Sequence, residues 1–149
     1  MAGGAKKMNW VARGLRLLAG GIFLVAGGLK VVDPAHFAAD IDHFRLLPYF
    51  AVGPLALYLP WLEIICGLAV LAGPARRSAL VVLFALTLIF IVAIASAWMR
   101  GLDIRCGCFG AASTAPLAYD LVFDLVLCVV LAWLLRVDGR PGSPPSHNV

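Results

Sequence analysis

Residues 78–99 read SALVVLFALTLIFIVAIASAWM, 22 consecutive positions without a charged side chain. Crossing a hydrocarbon core takes about 20 helical residues, so this run is long enough. Lipid offers no water to backbone N–H and C=O groups, which must then satisfy each other within a helix. Three further apolar runs accompany it, at about Trp10–Val32, Tyr49–Ala72 and Pro116–Leu135. They account for a composition of 62% hydrophobic and 13% charged residues over 149 positions, where a soluble domain carries about 45–50% apolar residues. The sequence therefore predicts an all-α membrane protein, a four-transmembrane-helix bundle with no room for a soluble domain.

The expected organisation is an N-terminal segment over 1–9, the membrane domain over 10–136, and a tail over 137–149. The tail is rich in Pro, Gly and Ser and is expected to be disordered. Gly73-Pro74-Ala75-Arg76-Arg77 is a tight turn that makes the second and third spans antiparallel neighbours. Two longer connections remain, Asp33–Pro48 and Arg100–Ala115. Lys6, Lys7, Arg13 and Arg16 before a short apolar stretch resemble a signal peptide. Yet no small-x-small cleavage site precedes Lys30, and three spans follow, so the segment is expected to be retained.

Four spans place both termini on one side. Lys6, Lys7, Arg13, Arg16, Arg76, Arg77, Arg136 and Arg140 lie on that side, against Lys30, Arg45, Arg100 and Arg105 on the other. Eight against four predicts cytoplasmic termini in a bacterial plasma (inner) membrane, with the 100–115 connection facing the periplasm or exterior. The net charge of +4 is spread over helix ends, without the basic-aromatic clustering of a nucleic-acid surface.

That outward connection contains Cys106-Gly107-Cys108. A bridge between cysteines so close in sequence closes almost no loop, so it gains little as a staple. Its geometry departs from the usual, and Gly107 eases the required backbone angles. Strained bridges are more readily reduced, which suits a transferable disulfide in an oxidising compartment. Arg105 beside Cys106 favours the thiolate. So does the start of the fourth helix, which Ser113 or Thr114 can cap with Pro116 in its first turn. Phe109 and Gly110 would fold the loop back onto the bundle. Soft-metal (copper) binding or transport by Cys106 and Cys108 is the rival reading. A structural pair of thiols is a second. Zinc is disfavoured because it would need further ligands, with His36 and His43 as the remaining loop histidines. Cys66 and Cys128 fall inside spans and read first as small buried hydrophobes, with thiol exchange toward the loop pair as the sharper alternative.

Charges inside spans are costly and mark interior positions. Glu63 sits in LPWLEIICG near the middle of the second span, and Lys30 at the outer end of the first. Asp120 and Asp124, four residues apart, share a face of the fourth helix. These groups can converge beneath the cysteine loop, either to pin the helices together or to carry the protons that thiol exchange consumes and releases. Pro54 and Pro60 are expected to kink the second span or delay its start. Trp10, Trp61 and Trp98 read as interface or packing residues.

In order, RGLRLLAGGIFLVAGGLK ending at Lys30, Asp33-Pro34, the LLP of Leu46–Pro48, LPWLEIICG and CGCFG at 106–110 resemble the MauE/DoxX-like family of redox-associated membrane proteins. The resemblance covers about residues 13–135. It implies a four-helix inner-membrane protein linked to maturation or export of a disulfide-rich redox enzyme subunit, of the methylamine dehydrogenase type. It also implies thiol redox chemistry, with possible partners being a quinone and a thioredoxin-like or other disulfide-bearing extracytoplasmic protein. One departure is Phe123, where a basic residue would be expected before Asp124. The combined expectation is a thiol–disulfide redox protein using Cys106 and Cys108, with Arg105, Gly107, Phe109, Gly110, Lys30, Glu63 and Asp124 in support. A non-enzymatic assembly factor is the further alternative.

Overall fold

The computed structural model describes residues 2–102 and 117–139, with side chains described from Trp10 onward apart from Leu117. Five helices follow one another: α1 Ala2–Val32, α2 Pro34–His43, α3 Tyr49–Ala72, α4 Arg76–Met99 and α5 Leu117–Asp138. All but α2 contain a stretch long and apolar enough to cross a membrane: Trp10–Val32, Tyr49–Ala72, Arg76–Met99 and Ala118–Asp138. Their outward faces carry Val25, Leu57, Ile65, Ile89, Val92, Val126 and Val129, all exposed. Apolar surface of that extent would associate in water and is at home in lipid. The protein is therefore read as a multi-pass membrane protein whose outer surface contacts lipid.

The spans form a ring. α1 packs on α3, α3 on α4, α4 on α5, and α5 back on α1, leaving α1–α4 and α3–α5 as the diagonals. Between them lies a core of Phe23, Cys66, Val70, Leu80, Leu83, Leu127, Leu131 and Leu134. At the α3–α4 turn, Gly73 adopts φ 102°, a left-handed geometry natural to glycine. Its N–H closes onto the Ala69 carbonyl at 3.1 Å. Arg76 Nε then donates to the Val70 carbonyl at 3.2 Å, satisfying another free acceptor at the end of α3.

α2 is a departure from the sequence expectation, which left 33–48 as a connection. Asp33 caps it by accepting from the His36 N–H at 3.0 Å, and Pro34 occupies its first turn. It packs chiefly against α3, burying Phe37 and Asp40. Arg100 Nη2 donates to the Phe44 carbonyl at 2.5 Å, tying the end of α4 to the end of α2. Pro54 and Pro60 lie inside α3, which begins at Tyr49 and runs through both, so neither delays its start.

Lys30 lies in the last turn of α1, at the end of the first span as the sequence indicates, but that end stops short of the rim of the bundle. Gly27 meets Pro60 and Glu63 of α3, while Gly20 meets Gly67 and Leu71. In this register α3 continues outward past α1 by about two turns, at about 1.5 Å per residue. α2 packs against α3 beyond that point, and Lys30 ends up deep in the bundle.

Candidate functional site

The α1–α3 register depends on missing side chains. A Cβ on Gly27 would stand 2.8 Å from the Pro60 carbonyl oxygen and 2.8 Å from Ile64 Cγ1. Glycine lets the two backbones approach, as small residues do wherever membrane helices pack closely. One turn on from Gly27, Lys30 then reaches across. Its Nζ donates to both carboxylate oxygens of Glu63, at 2.8 and 2.9 Å. The two side chains are 3% and 1% exposed, so the pair is removed from solvent. The Phe37 and Phe90 ring centroids lie 5.0 and 5.1 Å from the ammonium, within cation–π range.

α4 and α5 complete the site. A cavity of about 30 Å³, measured as space open to the centre of a water-sized sphere, is lined by Lys30, Glu63, Thr87, Phe90, Phe123 and Asp124, among others. By that measure it holds about two waters. Thr87 donates its hydroxyl to the Leu83 carbonyl at 2.9 Å, leaving oxygen lone pairs free to accept. Thr87 stands near the middle of α4, about 17 Å from either end. The charged cluster therefore lies level with the middle of α4. Asp124 and Asp120 are buried, and Oδ2 of each lacks a hydrogen-bond partner among the described residues.

Lys30, Glu63 and Asp124 thus converge as the sequence suggested, with Asp120 one turn away on α5. Thr87, Phe37 and Phe90 were not legible as site residues, because they look like ordinary members of apolar segments. Arg105, Cys106, Gly107, Cys108, Phe109 and Gly110 lie outside the described residues, as do Ser113, Thr114, Pro116 and the 140–149 stretch of the tail. Cys66 and Cys128 are free thiols. They sit on diagonal helices whose Cα atoms nowhere come within 8 Å, whereas a disulfide needs Cα atoms under about 7 Å apart. Cys66 belongs to the apolar core. Trp10, Trp61 and Trp98 are all exposed on the bundle surface. Among the described residues, no three His, Cys, Asp or Glu side chains converge as a metal site.

Two further polar features sit away from this centre. Arg16 pairs with Asp138, joining α1 to α5 at the terminal end of the bundle. On α2, Asp40 is buried with His36 Nε2 3.8 Å from its Oδ2. Burial raises the Asp40 carboxyl above the usual carboxylate range, opposed in part by His36 and His43.

Four apolar spans closed around a cross-helix ion pair define a polytopic membrane protein with a charged centre rather than a simple anchor. The chain belongs to the family described as methylamine utilisation protein MauE, which matches residues 8–137. It is 32% identical over 111 residues to the methylamine utilization protein MauE of Paracoccus denitrificans, covering 74% of this chain and 59% of that protein. To the protein of that name from Methylorubrum extorquens it is 35% identical over 111 residues, 71% of this chain and 60% of the relative. A third, from Methylophilus methylotrophus, is 42% identical over 73 residues, 48% of this chain and 38% of the relative. The matched regions thus span from 38% to 60% of these relatives' lengths. No solved structure matches the chain.

Proposed function

We propose that this chain is a membrane thiol–disulfide redox protein, acting as an accessory in methylamine utilisation through the maturation of an extracytoplasmic redox enzyme. The Cys106-Gly107-Cys108 sequence, directly following the third span of a MauE-family bundle, carries the proposal. The relatives' names supply the pathway. The excess of basic residues at the terminal side favours cytoplasmic termini in a bacterial plasma membrane, with the pair outside.

The exchange is balanced in sulfur and electrons. A thiolate of the partner attacks one sulfur of the Cys106–Cys108 bridge and displaces the other as thiolate. The partner's second thiolate then attacks the mixed disulfide. The partner leaves oxidised, the pair is left as two thiols, and its two electrons pass to a further disulfide-bearing protein. The thiolate is the reacting form at each step, so Arg105 next to Cys106 favours turnover. No step is assigned to a quinone.

Location tests the proposal. In intact cells, after mild reduction, a membrane-impermeant maleimide should label the wild-type chain and fail to label the Cys106→Ser, Cys108→Ser double variant. Labelling that requires permeabilised cells would put the pair in a reducing compartment and overturn the reading.

A further inference from the structure

A carboxylate oxygen buried without a partner between membrane-spanning helices is expensive unless something binds it. Asp124 is 7% exposed, its Oδ2 has no hydrogen-bond partner among the described residues, and it lines the cavity. The other walls offer what water needs. Lys30 has three N–H donors and gives two bonds to Glu63, and the Thr87 oxygen still has lone pairs to accept with.

Among the described residues, the charges facing Asp124 do not cancel. α1 contributes Lys30, α3 Glu63, α5 Asp120, and α4 the neutral Thr87. Lys30 is matched by Glu63, leaving Asp120 and Asp124 without a counter-charge among these groups. Asp120 lies one turn from Asp124 toward the start of α5, and its Oδ2 is also buried without a partner among the described residues. Apolar side chains close the bundle on both sides of this level, Leu80, Leu83, Leu131 and Leu134 toward one end and Phe44, Ile94 and Ala97 toward the other.

We propose that Asp124 is the proton-binding group of a hydrated cavity inside the bundle, with the Lys30–Glu63 pair as its fixed wall. A hydronium passes its proton through the cavity water to the Asp124 carboxylate, giving a carboxylic acid and a water molecule. Release reverses the step, and no electron moves. This inference goes beyond the thiol chemistry and does not depend on it.

Infrared difference spectra of the full chain in proteoliposomes, recorded on acidification, test it. The expected result is a carboxylic-acid C=O band that shifts in D2O, is lost in Asp124→Asn, and changes position in Asp124→Glu should the Asn variant not fold. The Cys106→Ser, Cys108→Ser variant keeps the band, so failure of the thiol proposal and failure of this one read separately. A band unaffected by either Asp124 substitution, or no band at all, would overturn the inference.

Discussion

Replacing Lys30 by Met removes the ammonium that bridges both oxygens of Glu63 at 2.8 and 2.9 Å. The partners are 3% and 1% exposed, so bulk solvent does not take the place of the lost group. Breaking a buried pair from one side costs about 3–5 kcal/mol in soluble proteins, because the remaining charge is stranded. Hydrogen bonds between membrane helices contribute less, about 0.6 kcal/mol on average, since the unfolded chain in lipid also finds partners. The pair is ionic, doubly bonded and nearly inaccessible, which places it nearer the first figure. We expect about 2–4 kcal/mol for Lys30→Met and for Glu63→Gln singly. The double variant should fall short of their sum by at least about 2 kcal/mol. Reversible unfolding in mixed micelles of rising SDS content, followed by tryptophan fluorescence, measures all four corners of the cycle. Single losses below about 0.5 kcal/mol, or strict additivity, would show that the pair does not hold the helices as argued.

Gly27→Ala should destabilise by about 1–3 kcal/mol in the same assay, since the backbone oxygen 2.8 Å from the new Cβ cannot yield without moving a helix. Gly28→Ala, with nothing within 4 Å, should be neutral or mildly stabilising. Arg100→Ala removes the bond to the Phe44 carbonyl and should speed tryptic cleavage after the exposed Arg45 in detergent-solubilised protein. Asp40 adds a pH dependence. Burial raises its folded carboxyl above the unfolded value, so the native state holds the extra proton. Its contribution to stability is full below the unfolded value and is lost as pH rises through the folded one. The thermal midpoint, compared between wild type and Asp40→Asn from acid to neutral pH, should show that decline in the wild type alone.

The spans were legible because each is a long apolar run, and the lipid requirement for internal hydrogen bonds leaves such a run little choice but helix. Lys30, Glu63 and Asp124 stood out because charge is rare in such surroundings. Which acid Lys30 would choose was not legible, since that depends on the inter-helix register set by Gly20, Gly27 and Gly67. Its burial was not legible for the same reason, as α3 extends beyond the end of α1. α2 was passed over although Asp33-Pro34 is a sound helix start, because its ten residues are short and only weakly apolar. Arg16 and Asp138 are 122 positions apart, and no local pattern links them.

The redox state of Cys106 and Cys108 against a graded glutathione or dithiothreitol buffer, read by mass shift after thiol alkylation, bears most directly on the proposed chemistry. A transferable bridge should open at a potential above about −300 mV, the range of labile and catalytic disulfides. A bridge that stays closed well below that potential, or one that never forms under mild oxidant, would contradict it.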